Sequence, residues 1–488
     1  MRAARHDRWI VLSLGFALGC GPGDGGTDGG PSLDAATTCP DASAPITPEP
    51  QEHTVLTGFG AGPCALTLSY PEPRVIELWV EGDGAELSLD GRGLRPYEPP
   101  LRVEAGAHTV EVVSDAAGTR VHVRDHGPVP TSIRIERSLT WTDAALLDDA
   151  GTVGLGRVMA AASVDGHGGR LLEHWFGRFA TTAHSERLGP QRLLDEIAAS
   201  QGTDTRMWDL DAAPFVVTGV HNRIDLADGD ACGELRVSLA STHPIHQPFH
   251  MILLLEQPAR PEDRRPDGGA HCVSTALAWA RLSELDDESF REAARRMLDE
   301  ALVRERVLVL ETVELLISPW EWRQWFLESN DDPATRDTLP EVLENRPLFQ
   351  TVDAATLSTP SPERDAFIAW VTENAGPLDA RTIEIPEAFR SPSARVNDGV
   401  PWIPLDLTGV PQELLDEYPS LRQNIEIVGC PACHAADADF VQTLPDRTFS
   451  PFYVKELDAR SEYLGALAEG LPGAVPFGPL QATPVLTP

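Results

Sequence analysis

Alternating apolar and polar residues mark residues 51–126 as β structure. Val75–Val80 reads as one strand, Ala85–Leu89 alternates cleanly, and Asp90-Gly91 supplies a turn. His108–Val113 and Thr119–Arg124 alternate again on either side of Ala116-Ala117-Gly118. Short strands about ten residues apart predict a small all-β sandwich, suited to spacing or binding rather than catalysis. Beyond it the pattern is mixed. Phe215–Val220, Leu235–Ala240, Met251–Glu256 and Val307–Ile317 read as strands, and Pro190–Ser200, Glu288–Arg304 and Pro362–Asn374 as helices. Asp286-Asp287-Glu288 places acid at a helix start, where the backbone dipole favours it. Strands and helices do not alternate strictly, so residues 127–410 are expected to form an α+β body. Pro411–Tyr418 and Lys455–Glu469 predict helices in residues 411–488, and the chain from Gly470 is rich in Pro and Gly. The expected fold class is therefore α+β and multidomain, with an N-terminal all-β sandwich and a short helical C-terminal segment.

The N-terminus changes the picture from a soluble chain to an exported one. Arg2, Arg5 and Arg8 precede an apolar run, Trp9–Leu18, that is too short to cross a bilayer. Ala17-Leu18-Gly19-Cys20 follows and resembles the lipobox of bacterial lipoproteins. That resemblance implies cleavage after residue 19, a lipid on Cys20 and, with Gly21 next, sorting to the outer membrane, facing periplasm or cell exterior. An ordinary signal peptide cut nearby is the competing reading, and it also exports the protein. Residues 20–50 read as a flexible tether spanning roughly 30 Å. Asp24 and Asp28 within it match no calcium loop.

Cysteine usage fits export. The chain has seven, Cys20, Cys39, Cys64, Cys232, Cys272, Cys430 and Cys433. With Cys20 assigned to lipid and the last two to a motif, the remaining four are expected to form disulfides in an oxidising compartment. Sequential pairing gives Cys39–Cys64 and Cys232–Cys272, one of three connectivities. The net charge is −36, which excludes nucleic acid and anionic membrane surfaces as partners. It would suit a basic redox protein, though an acidic surface also simply keeps an exported protein soluble.

The most specific chemistry lies in Cys430-Pro431-Ala432-Cys433-His434. Cys-x-x-Cys-His is the attachment signal for c-type haem: two thiols bond the haem vinyl groups and the next imidazole becomes the proximal iron ligand. The motif predicts covalent haem on Cys430 and Cys433 with His434 proximal. No Met or His follows His434, so any distal ligand is non-local. His243, His246 and His250, three imidazoles within eight residues, are the distal candidates; otherwise the iron is five-coordinate. Pro244 and Pro248 exclude a shared helical face, and a solvated turn is the bland reading of this stretch. A thioredoxin-like Cys pair is disfavoured, because that fold needs strands and a helix after the motif. Glu234 and Glu256 lack a surrounding catalytic motif and read as structural.

A wider pattern runs through the body. His221-Asn222-Arg223-Ile224-Asp225-Leu226, Cys232-Gly233-Glu234-Leu235-Arg236, Trp322-Arg323-Gln324-Trp325-Phe326, the Cys-x-x-Cys-His and Ser450-Pro451-Phe452 together resemble uncharacterised secreted proteins of soil bacteria. The resemblance covers roughly residues 200–470 and implies an exported single unit, with no activity attached. The reading is a lipid-anchored exported protein with a mono-haem c-type site, serving electron transfer or haem redox. The alternative is a non-redox surface lipoprotein that binds a partner or glycan, with Cys430 and Cys433 in a disulfide.

Overall fold

A computed structural model describes strand Ile10–Val11 and residues 53–471, apart from short internal stretches that include 228–230, 244–248, 265–268, 315–319 and 426–440. The chain is mixed α+β, its sheets almost wholly antiparallel, and it divides into two compact units. The first comprises residues up to Thr131 together with Ala259–Ala278 and Gly465–Gly473; the second comprises Ser132–Pro258 and Trp279–Leu464, with the C-terminal residues.

In the first unit one sheet runs β1 (Ile10–Val11), β2 (His53–Phe59), β9 (Thr119–Pro128), β4 (Arg74–Glu81), β7 (Leu101–Val103). The other runs β3 (Gly62–Tyr70), β8 (Gly106–Ser114), β5 (Glu86–Leu89), β6 (Arg92–Leu94). Alternation turns Ile76, Leu78, Val121 and Val123 of the first sheet and Leu66, Leu68, Val110 and Val112 of the second into one apolar cluster. Burying such side chains contributes about 1.5–3 kcal/mol each. The same alternation sends Glu77, Trp79, His122 and Arg124 to the opposite face of the first sheet. There His122 stacks on Trp79 at 4.7 Å and the Arg124 guanidinium lies 5.1 Å from the same ring.

The second unit is built on a larger sheet. Its order is β10 (Thr140–Trp141), β11 (Phe215–Arg223), β12 (Ala231–Ser241), β13 (Phe249–Pro258), β14 (Val307–Glu314), β15 (Trp320–Ser329), β17 (Ala394–Asn397), β18 (Val400–Pro401), with β16 (Glu341–Glu344) also on β15. β12 to β14 are buried almost throughout, so both faces are covered. One face is apolar. Phe249 packs on Phe176 and Phe179 of helix Gly168–Thr182, and Trp175 of that helix donates from Nε1 to Thr312 Oγ1 at 2.8 Å. A separate apolar cluster joins Phe367, Ile368 and Val371 of helix Pro362–Glu373 to Leu407, Leu421 and Ile425.

Candidate functional site

The other face of the large sheet carries a row of buried charge. Its register sets His221 opposite Arg236 and Arg223 opposite Glu234 on β11 and β12. Further across, Ile252 lies opposite Glu311 and Glu311 opposite Gln324. His221, Arg223, Glu234, Arg236 and Gln324 come from segments of the pattern that runs through the body sequence. Helix Pro451–Ala468 adds Tyr453, Glu456 and Arg460, spaced three and four residues apart on one helical side.

Buried charge is tolerated when it is paired. Arg223 holds Asp225 through Nε and Nη2, both at 3.1 Å, and Arg236 holds Glu234 at 2.8 Å. Arg460 donates to Glu456, and its Nε stands 4.0 Å from Asp225 Oδ2. Gln324 Nε2 donates to Glu311 Oε1 at 2.7 Å. The pairing is incomplete. Glu311 Oε2, Glu456 Oε1, Arg460 Nε and Nη1, and both amide atoms of Gln442 are buried and make no hydrogen bond among the described residues. A buried polar atom left unpaired costs about 1–3 kcal/mol.

The electrostatics follow from burial. Burial raises the Glu311 carboxyl, opposed by Arg236, and raises Glu456, opposed by Arg460 and Arg223. Burial also depresses Arg460, as does the neighbouring Arg223. For Asp225 burial would act upward, but Arg223 and Arg460 overcome it and hold the carboxyl low. His221 is driven well below its usual range by burial and by Arg460, Arg236 and Arg223, so it is a neutral imidazole. Its Nε2 meets Ser238 Oγ at 3.1 Å, and Tyr453 packs edge-on against its ring at 5.5 Å.

Two glycines make this geometry possible. Gly233 has φ +86°, and a Cβ there would lie 2.1 Å from the Arg223 carbonyl oxygen. At Gly219 a Cβ would meet His221 Cε1 and Thr443 Oγ1, both at 2.9 Å.

The residues predicted from sequence are distributed as follows. Cys430, Cys433 and His434 fall in 426–440, outside the described residues, as do Cys20, Cys39 and His246. On either side of residues 426–440, Ile425 is 2% exposed and Val441 fully buried. Gln442 and Thr443 immediately follow, and Thr443 Oγ1 bonds Thr218 Oγ1 at 3.0 Å. His243 pairs with Glu196 at 3.1 Å, whereas His250 is buried in β13 beside Val313 of β14. Burial takes the His250 imidazole down to about 4, and its Nδ1 makes no hydrogen bond among the described residues. It shares the polar row's sheet face with Ile252, Leu254 and Val309, which form an apolar patch with Phe326. Glu234 and Glu256 are register partners at the strand ends, and Glu234 is engaged by Arg236. Cys64, Cys232 and Cys272 are each in a disulfide. Among the described residues no helix is long and apolar enough to cross a membrane.

Sequence reading missed Glu311, Glu456 and Arg460. Each sits in an ordinary helix or strand pattern, and the pairing that assembles them is non-local. No protein-family model matches the chain, and no curated protein or solved structure shows significant similarity to it.

Proposed function

We propose that the protein is an exported, lipid-anchored carrier of one c-type haem, serving electron transfer or haem redox chemistry. The observation that carries this is Cys430-Pro431-Ala432-Cys433-His434. In this reading residues 51–126 form an all-β sandwich, 127–410 an α+β body, and 411–488 a helical segment that bears the haem. Cys20 holds the lipid, and the protein faces the periplasm or the cell exterior at the outer membrane.

Two features of the described residues would suit a haem. A haem brings two carboxylates, and Arg460 Nε and Nη1 and the Gln442 amide nitrogen are buried and make no hydrogen bond among the described residues. Iron accepts a neutral imidazole, and His250 is one, beside the apolar patch of Ile252, Leu254 and Val309. Cys430 and Cys433 would hold the macrocycle and His434 the iron, with His250 the distal candidate and Arg460 and Gln442 the carboxylate partners. The haem would supply a one-electron iron couple. The protein's part is to fix the ring, exclude water and set the charge around it.

The test is an absorption spectrum of full-length protein produced with haem-maturation machinery. A Soret band that survives denaturation, with one haem mass on the chain, is expected. Cys430→Ala/Cys433→Ala should abolish the covalent attachment. A colourless protein lighter by two hydrogens at Cys430–Cys433 would favour the binding lipoprotein instead. Cys20→Ser should release the protein from membranes, and unchanged fractionation would remove the anchor from the proposal.

A further inference from the structure

The first unit holds a second constellation, unmarked by any sequence motif. Glu77, His126 and His271 converge, with one ligand-type atom from each lying within 4.8 Å of the others. Glu77 Oε2 stands 3.7 Å from His126 Nε2 and 3.8 Å from His271 Nε2. Those gaps exceed hydrogen-bond length. They approach the roughly 3.3–3.5 Å between donors that share a tetrahedral ion at about 2.0–2.1 Å. The His271 Nε2 is buried and makes no hydrogen bond among the described residues.

Three separate features of the chain aim these side chains. Glu77 lies on the face of β4 that alternation turns away from the apolar cluster holding Ile76 and Leu78. His126 is the extra residue of a bulge in β9: Val75 pairs with Gly127 and Ile76 with Asp125, leaving His126 between them. Bulges re-aim side chains in this way. Asp125 Oδ1 accepts from Gly127 N at 2.7 Å, and Gly127 takes φ +103°, which fixes the kink. His271 comes from the 259–278 segment, where its N–H bonds the Asp263 carbonyl at 3.0 Å. The next residue, Cys272, is disulfide-bonded and held at φ +57°, a conformation costly for a non-glycine.

Both rings are oriented from behind. His126 Nδ1 meets Ser274 Oγ at 2.7 Å, and His271 Nδ1 lies 3.4 Å from Asp263 Oδ1. Asp263 is itself held by Ser274 N at 2.6 Å, Thr275 N at 3.0 Å and Thr275 Oγ1 at 2.7 Å. Val273 N also donates to His271 Nδ1 at 3.3 Å. A partner behind each Nδ1 fixes the ring so that Nε2 faces the cluster, the orientation that metal-ligating histidines use. Burial alone would raise the Glu77 carboxyl, but His126, His271 and Arg124 bring it down to about 2. Arg124 Nη1 also donates to Glu77 Oε2 at 2.9 Å. Glu77 is therefore ionised and able to ligate.

We propose that Glu77, His126 and His271 bind a divalent transition-metal ion, with Ser274 and Asp263 orienting the two imidazoles and a fourth position open to a small donor. Two imidazoles and one carboxylate select zinc over magnesium or calcium, which require oxygen donors. An ion there would lock the bulge of β9 to the 259–278 segment.

The experiment uses full-length protein in which Cys430 and Cys433 are both alanine, so that neither haem nor thiolate contributes. After chelator treatment it is titrated with Co²⁺, then with Zn²⁺ as competitor. One equivalent of Co²⁺ should give visible ligand-field bands that Zn²⁺ abolishes, and Zn²⁺ should raise Tm. Asp263→Asn, which leaves all three ligands in place, should weaken binding roughly 10–100-fold. His271→Gln and His126→Ala should each remove the bands and the Zn²⁺-dependent rise in Tm, while His243→Ala should change neither. Should a variant fail to fold, Zn²⁺ stabilisation of the parent protein still decides the question. Overturning results would be a folded parent protein with no Co²⁺ bands and no Tm response, or bands that persist in His126→Ala/His271→Gln. The cluster would then be a closed set of charges that holds the segment without an ion.

Discussion

At the scale of single residues, function and stability meet in His250. Its ring is fully buried, and burial alone takes its pKa from 6.5 to about 4. The unfolded chain binds a proton there below about 6.5, whereas the folded protein resists until about 4. Stability contributed by the neutral ring is thus present above about 6.5 and lost as pH falls from there towards about 4. The difference in pKa corresponds to a loss on the order of 3 kcal/mol across that window. His53 and His174 are also brought down to about 4, but both are partly exposed, so solvent screening makes each weaker. His250→Leu should flatten the fall in unfolding free energy between about pH 6.5 and 4, measured by urea denaturation. An unaltered slope would mean that other groups carry the acid sensitivity. The sequence marked His250 as one of three clustered imidazoles, but not how they divide: His243 turns to Glu196 while His250 faces the interior. Glu77, His126 and His271 were illegible for a different reason. Their assembly depends on a bulge and on a left-handed residue, and neither leaves a periodic trace.

At the scale of elements, alternation located β4, β5, β8, β9 and the central strands β11 to β14 within a few residues, because each has a well-defined apolar face. It missed β2, β3 and helix Gly168–Thr182, and read β15 as a motif rather than a strand. In Trp322-Arg323-Gln324-Trp325-Phe326, Gln324 and Phe326 are partly buried and the others buried, and each face mixes polar with apolar residues, so no alternation gives it away. Helix Pro451–Ala468 shows the converse. Its buried side includes Tyr453, Glu456 and Arg460, so a charged stripe faces inward and hydropathy gives little sign of orientation. The stripe is matched to Arg223 and Asp225 rather than to an apolar core. Removing one partner leaves the others buried and uncompensated. Arg460→Ala should therefore cost about 3–5 kcal/mol, and the pair Glu456→Met/Arg460→Met should cost less than the sum of its single changes. Denaturant titration of the cycle checks this. Strict additivity would show that the two side chains do not act as a unit.

At the scale of the whole molecule, the thiols connect compartment, stability and cofactor. Cys64, Cys232 and Cys272 are all disulfide-bonded, as an oxidising compartment allows. Sequential pairing proposes Cys39–Cys64 and Cys232–Cys272. The second would close a loop of about forty residues and contribute roughly 3–4 kcal/mol by restricting the unfolded chain. The haem reading would place a lipid on Cys20 and thioethers at Cys430 and Cys433, which would leave none of the seven cysteines as a free thiol. The alternative function distributes them differently, with a third disulfide at Cys430–Cys433 and no haem. Intact mass of the exported protein, before and after reduction, separates these states. The haem reading predicts a gain of two hydrogens for each of two disulfides, with the haem mass retained throughout. A third disulfide with no haem mass would leave the surface-binding lipoprotein as the function. Alkylation without reduction should label nothing in either case. A labelled Cys232 or Cys272 would break the pairing from which the loop-closure stabilisation is derived.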